Sequence, residues 1–481
     1  MSLPPQVVRA LAQVVGTDWI RTDRADLATW ASDGLPTRQS MPGAVVIPGS
    51  RDEVVEVVQI LAHHGIACVA RGAGTGLSGG ALADGGAVSL VLTRLTRILD
   101  LDVENRTATV EPGVVNVRLS EATAPYGLLY APDPSSQTAC TLGGNIAENA
   151  GGPHCFKYGV TTNHVLAVEV VLADGSLVTL GSPTGESEGL DLLGVFVGSE
   201  GMFGIATRIT VRLIPVPATI RTLLADFGSL RDAGEAVSAI VASAVVPAAL
   251  EMMDRRIVEA VEASIYAAGY PTDAEAVLLV ELDGMQEEGV EADQETVEAL
   301  LRRHGARSIR AASAPADRAR LWQGRKKAFG ALGRISADMV VQDAVVPRTA
   351  LPDVLERIAA IGERYGLSVA NVFHAGDGNL HPNINFDARD PDQLARTEAA
   401  SAEIMAVCIE AGGTITGEHG VGIDKRRYMT SLFDPDTLTA MRAVRSAFDP
   451  DERLNPGKVI PVHACREWWA APASRKGQAG S

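Results

Sequence analysis

Apolar positions fall into short runs set between glycine-rich and helical stretches. Residues 1–40 read as a polar, helical lead. The run from Ala44 to Pro48 has the length of a buried strand. Arg51 to His64 then spaces Val54, Val55, Val58 and Leu61 as one face of a helix, and Ile66 to Ala70 is strand-like again. The strand pattern continues at Val88–Leu92, 167–173, 177–180 and 205–214. Pro215 and Pro217 end it, and the texture changes there. Glycine thins out, stretches at 229–246, 288–304 and 351–366 have helical composition, and Ala276–Leu282 and Asp338–Val346 read as strands between them. Strands returning antiparallel among helices predict an α+β fold. A helical tail is expected from Asp424 to about Phe448, a turn at Asn455–Lys458, and a frayed end over 466–481. The expected units are 1–216, 217–420, 421–461 and a tail, 462–481.

Composition narrows the function. With 481 residues, 46% of them hydrophobic, the chain can build a large core, and global disorder is excluded. The net charge of −17 repels phosphate backbones, and 4% aromatics leave few stacking platforms, so nucleic acid is not the expected partner. The longest uncharged apolar stretch, Ala236–Leu250, contains Pro247 and is too short to cross a bilayer. The first residues, MSLPPQVVRALAQVV, lack the charged-then-apolar order of a signal peptide. A cytoplasmic protein is expected, with any membrane association made through partners. Cys68, Cys140, Cys155, Cys408 and Cys465 are widely spaced and read as reduced thiols.

The 48 glycines are clustered. Residues 71–80, RGAGTGLSGG, follow a strand, and Gly74, Gly76 and Gly79 satisfy a GxGxxG pattern. Asp100 even stands at roughly the 20-residue offset of a Rossmann fingerprint. That fingerprint must open a helix. Here Gly80, Gly85 and Gly86 lead into another strand instead. Two readings remain: a nest of backbone N–H groups cradling a pyrophosphate without a helix, or a plain glycine-rich hairpin. A second loop, 132–152, is punctuated by Pro132, Pro134, Gly143, Gly144, Gly151 and Gly152, with Ser135, Ser136, Thr141 and Asn145 as hydrogen-bond donors. A third, 198–204, precedes Ile205. Three such segments between short strands suit a long nucleotide lying extended.

The second half carries the candidate chemistry. In 371–386, NVFHAGDGNLHPNINF, one straight strand would point His374 and His381 to opposite faces. The turn signal Gly376–Asn379 folds two short strands back, so both imidazoles can meet. Two imidazoles and a carboxylate suit zinc or a similar divalent ion; the alternative is one structural and one surface histidine. Glu418 and His419, between Gly417, Gly420 and Gly422, offer that carboxylate and a diverging imidazole, or else a solvated turn. Arg325 sits in a basic knot with Lys326, Lys327 and Arg334. Its guanidinium suits bidentate carboxylate binding, while the lysines read as a solvated helix face.

Residues 44–214, with the three glycine segments in order, resemble the flavin-binding domain of the vanillyl-alcohol-oxidase-type FAD family. The resemblance implies a two-part FAD-binding domain, an α+β cap over the substrate, and a C-terminal segment returning to the FAD domain. It places FAD contacts on Arg71, Gly72, Gly74, Thr75, Gly76, Leu77, Ser78 and Gly79. Further contacts fall on Pro132, Ser136, Thr141, Gly144, Asn145, Gly151 and Gly152, then on Glu200, Gly204, Ile205 and Asn455. Some members hold flavin covalently through a histidine in the first loop. Leu77 and Ser78 stand here, which implies noncovalent FAD.

Over about 40–461 the histidine motifs resemble one branch of that family: glycolate oxidase catalytic subunits, D-lactate dehydrogenases and D-2-hydroxyglutarate dehydrogenases. This implies zinc or manganese on His374, His381 and Glu418, His419 as base, Asn383 as a substrate contact, and Arg325 on the substrate carboxylate. The implied reaction sends the hydroxyl proton to His419 and the Cα hydride to flavin N5, with metal assistance. Hydroxyglutarate enzymes carry an added lysine and threonine. Phe329 and about Val341 stand at those places, so glycolate or D-lactate is the expected substrate. The alternatives are a D-2-hydroxyglutarate dehydrogenase and a non-catalytic flavin-binding subunit. An electron-accepting partner subunit, iron–sulfur or flavoprotein, and a homo-oligomer are further expectations.

Overall fold

A computed structural model describes residues 3–185 and 189–461. The expectations for 466–481 and for Cys465 lie outside the described residues.

Two small sheets make most of the first half, beside a two-stranded pair of Leu128–Leu129 with Ile214–Pro215. One has the order Ile20–Arg21, Ala44–Val46, Val88–Val91, Cys68–Arg71, with Val88–Val91 parallel to both neighbours Ala44–Val46 and Cys68–Arg71. Helix Arg51–His63 packs Val54, Val57, Val58 and Leu61 against it. The helix starts where it does because Ser50 accepts from Glu53 N (3.2 Å) and Glu53 reaches back to Gly49 N (2.7 Å). The second sheet is five-stranded and antiparallel: Ile98–Asp102, Thr107–Val110, Ile205–Arg212, Val165–Val171, Leu177–Gly181.

The other half is one large antiparallel sheet. Its main path runs Ala306–Ala312, Thr219–Phe227, Ala276–Gly284, Ala249–Asp254, Ser368–His374, Asn379–Leu380, Ala344–Val345. Leu223, Ala225 and Phe227 alternate onto one face and belong to the same core as Ile240, Ile358 and Ile404 of covering helices. The fold is therefore α+β.

Three local expectations change. The segment 132–152 is not loop throughout: Leu142–Glu148 is helical, because Thr141 caps it by accepting from Gly144 N (3.4 Å) and Gly143 lets the chain lie against Pro112. The strand expected over 338–346 is broken at Gln342–Asp343, where a fully buried carboxylate turns inward. The expected tail helix is broken at Asp434, which caps Pro435–Phe448 by accepting from Thr437 N (2.7 Å). Beyond it the chain returns to the first sheet. Cys68 N donates to Arg453 O (2.9 Å), Asn455 N donates to Cys68 O (2.8 Å), and Lys458 Nζ donates to Leu82 O (2.7 Å).

The halves are also joined at 154–158. His154 places Nδ1 2.8 Å from Asp133 and Nε2 3.0 Å from Glu281. Both partners are carboxylates, which only accept, so the ring is an imidazolium. Burial opposes that charge, yet Asp133 and Glu281 outweigh it and raise the His154 titration well above the ordinary range. A raised histidine contributes stability that is complete below ~pH 6.5, the unfolded value, and is lost as pH rises through the raised value. The thermal midpoint should therefore fall over that window. His154→Gln should flatten the profile; an unchanged slope in scanning calorimetry would show that another group sets it.

Candidate functional site

Between the halves lies a cavity of about 420 Å³. Its first wall is the glycine loop after strand Cys68–Arg71, from Arg71 to Leu77. No helix follows, and Gly74 (φ 72°) and Gly79 (φ 77°) take the left-handed backbone that side chains disfavour. Gly72 lies so close to Thr141 that a Cβ would collide with its hydroxyl, so the first two loops share one surface. Ser136, Thr141, Gly144, Asn145 and Gly151 continue the wall, followed by Glu200, Gly204, Ile205 and Asn455.

Buried polar atoms test whether this lining fits FAD. Arg71 Nε, Asn145 Nδ2, Glu148 Oε2 and Asn455 Oδ1 are buried with no hydrogen-bond partner, and all four residues line the cavity. Orphaned donors and acceptors along a glycine-lined channel fit a polar dinucleotide. Ser78, Gly79, Pro132 and Gly152, expected among the contacts, lie behind the wall instead. Ser78 Oγ donates to His419 O (3.0 Å), Pro132 O accepts from Asn116 (3.0 Å), Gly79 abuts Ile423, and Gly152 abuts Asp133. These residues set the loops' positions.

The far end of the same cavity is lined by Arg325, Phe329, Met339, Val341, His374, His381, Glu418 and His419. Strand Ser368–His374 turns at Ala375–Gly378 into Asn379–Leu380, and Gly378 (φ 79°) permits the reversal over Val346 O. The His374 and His381 rings come within 5.1 Å, nearly perpendicular. Glu418 Oε1 lies 3.2 Å from Nε2 of each. For His381 that approach is off the hydrogen-bond axis, and its Nε2 has no hydrogen-bond partner. Each ring is fixed from behind: His374 Nδ1 donates to Glu251 Oε1 (2.7 Å), and His381 Nδ1 donates to Gln342 O (3.3 Å). Both Nε2 atoms therefore converge with a carboxylate, as a divalent cation site requires. The three ligand atoms lie within 4.8 Å of one another. Burial opposes ionisation of Glu418, but His374 and His381 hold it well below the usual carboxylate range. Gly151 lets the flavin-side loop reach this point, since a Cβ there would stand 2.6 Å from Glu418 Oε2.

His419 stacks on His381 at 4.8 Å, its Nδ1 unpartnered. Burial pushes its imidazole down to about 4 against the pull of Asp343, so it is neutral at physiological pH and able to accept a proton. Asp343 approaches His381 and His419 too. Its oxygens are committed elsewhere, to the N–H groups of Gly417 (3.1 Å) and His419 (3.0 Å), to Thr416 Oγ1 (2.6 Å) and to Lys425 (3.0 Å). It shapes the loop.

Comparison with known proteins assigns each half of the chain to a family. The family described as FAD binding domain matches residues 42–181, and the family described as FAD linked oxidases, C-terminal domain, matches 216–459. The chain belongs to the FAD-linked oxidases. It is similar to glycolate oxidase subunit GlcD of Escherichia coli (strain K12), 48% identical over 466 residues that cover 96% of this chain and 93% of that protein. GlcD of Bacillus subtilis (strain 168) is 41% identical, with 95% and 97% covered, and a D-lactate dehydrogenase of Anaerostipes hadrus is 34% identical, with 88% and 90% covered. Among solved structures, p-cresol methylhydroxylase with substrate bound superposes with a TM-score of 0.81 over 94% of this chain and 96% of that one, at 18% identity, which shows the shared fold. Among the described residues, no helix is long and apolar enough to cross a membrane.

In this FAD-linked oxidase one further site expectation needs adjustment, that for Asn383. Asn383 is wholly buried, donates to Ala370 O (3.1 Å) and His381 O (2.6 Å), and lines no part of the cavity. Its amide braces the histidine hairpin. Of the basic knot, only Arg325 reaches the cavity; Lys326 and Lys327 are exposed, and Arg334 is held by Ala263 O (2.9 Å). Sequence reasoning missed Glu251, fully buried in strand Ala249–Asp254. One of its oxygens sits 2.6 Å from both Nε and a terminal nitrogen of Arg325, while the other holds His374.

Proposed function

We propose that this FAD-linked oxidase dehydrogenates a small D-2-hydroxy acid, glycolate or D-lactate, using noncovalent FAD and a zinc or manganese ion on His374, His381 and Glu418. One observation carries the reading: a single cavity is lined at one end by the glycine loops and at the other by Arg325, the histidine–glutamate cluster and His419. Names of the relatives support the substrate class. Bound FAD supplies the two-electron acceptor, and a divalent ion supplies positive charge toward the hydroxy-acid oxygens.

The chain's own groups do the rest. Arg325, clamped by Glu251, turns its remaining N–H groups to the substrate carboxylate. Neutral His419 takes the hydroxyl proton, held in place by the Asp343 contacts to its own loop. Phe329, Met339 and Val341 present an apolar surface beside Arg325, favouring one carboxylate over two. Leu77 and Ser78 offer no attachment point for flavin. A partner subunit accepting electrons is in keeping with the GlcD relatives, which are described as subunits.

Dye-linked turnover against a panel of D- and L-2-hydroxy acids tests the reading. Glycolate or D-lactate should be preferred, and acid precipitation should leave FAD in the supernatant. Preference for 2-hydroxyglutarate would overturn the substrate assignment, and flavin in the pellet would overturn the noncovalent one. Arg325→Lys keeps charge but loses the fork, so KM should rise ~10-fold or more with flavin content unchanged. Unaltered kinetics would remove Arg325 from the substrate site.

A further inference from the structure

The strand Asp338–Val341 and its extension to Gln342 have a second side. Val341 lines the catalytic cavity, whereas Val340 and Gln342 line a different cavity of about 480 Å³. Alternation along a strand puts the two on opposite faces. Arg38, Arg426, Arg427 and Arg442 border this second cavity, and among the described residues none has a carboxylate oxygen within 4.0 Å. In a chain of net charge −17, arginines gathered without acidic partners are out of place. Glu398 and Asp424 are the acids on the wall, too few to neutralise them. Thr397 Oγ1 and Tyr428 Oη are buried without any hydrogen-bond partner, and Thr397 is only 1% exposed. Buried hydroxyls left unpaired are costly unless something fills the space beside them. Leu35, Ile423 and Leu438 supply apolar wall.

We propose that this cavity binds a small organic anion, a carboxylate or phosphate with an apolar body. The guanidiniums give charge-assisted bonds to the anionic head, the two hydroxyls complete its shell, and the apolar wall takes the body. The following segment, 462–481, carries Arg466, Arg475 and Lys476 against Glu467, so its side chains are basic in balance, like the cavity rim. The proposal rests on this cavity alone and is independent of which hydroxy acid is oxidised.

Calorimetric titration of the flavin-loaded full chain with phenyl phosphate and with benzoate tests it, the two probes separating phosphate from carboxylate. One of them should bind saturably, and binding should weaken ~10-fold or more in Arg427→Gln, in Arg442→Gln and in Thr397→Val. Hydroxy-acid turnover by these variants should persist, which shows that they fold. Arg325→Lys should leave the probe's affinity unchanged. Absence of saturable binding for both probes, or affinity lost in Arg325→Lys and kept in the other variants, would overturn the proposal.

Discussion

His419→Gln should slow reduction of the bound flavin by hydroxy acid ~10²–10⁴-fold, the usual worth of a positioned base. Glutamine keeps the bulk of imidazole and can hydrogen-bond, but it cannot take a proton. Nothing in the flavin wall leans on the side chain: Ser78 Oγ bonds the backbone oxygen of His419, and Asp343 bonds its backbone N–H. Flavin content should therefore stay at the level of the unmodified protein, as should metal, whose proposed ligands are other residues. Rapid-mixing reduction under anaerobic conditions, with flavin and metal measured on the same preparation, checks all three. Reduction at the unmodified rate would remove His419 from proton transfer.

Glu251→Ala should be the most damaging change outside the cavity wall. Arg325 and Glu251 are 2% and 0% exposed at the side chain, and removing the acid strands a guanidinium in the interior. Breaking a buried pair this way costs about 3–5 kcal/mol of stability. The carboxylate's other oxygen fixes His374 from behind, so metal affinity should fall ~10–100-fold, as it does when the group behind a ligand is lost. Glu251→Gln separates the two effects. It keeps the shape and one acceptor for Arg325, but toward His374 it turns an NH2 donor, so the Nδ1–H loses the acceptor that held it. Stability should recover in large part while metal affinity stays low. Equal metal content in Glu251→Gln and the unmodified protein would confine Glu251 to a structural role.

The site was partly legible because its backbone carries its own signals. Gly376 and Gly378 around Asp377 announced the reversal that brings His374 to His381. The glycines after Gly79 announced that no helix opens there. The unseen parts depend on contacts distant in sequence. Glu251 meets Arg325 and His374 across three elements, and its one sequence trace is a carboxylate inside the apolar run Ala248–Met253, where burial demands a partner. Asp343 leaves a similar trace, an acid between Gln342 and Ala344 that breaks a strand to hold a loop some 70 residues on, at Thr416 to His419. The helix Leu142–Glu148 was hidden for the opposite reason: Gly143 and Gly144 argue against a helix locally, and close packing on Pro112 outweighs that propensity. Asn383 stands two residues from His381 on a strand, and only the fold reveals that its amide turns to the hairpin's own carbonyls.

The most direct test of the whole account is anaerobic titration of the purified protein with hydroxy acids while the visible absorbance of its flavin is followed, before and after exhaustive chelation. Glycolate or D-lactate should bleach the flavin fully, and D-2-hydroxyglutarate should leave it oxidised. Chelation should abolish bleaching without releasing FAD, and added zinc or manganese should restore it. Bleaching that survives with no metal detectable would contradict a metal role for His374, His381 and Glu418, and a flavin that no hydroxy acid reduces would contradict the account at its centre.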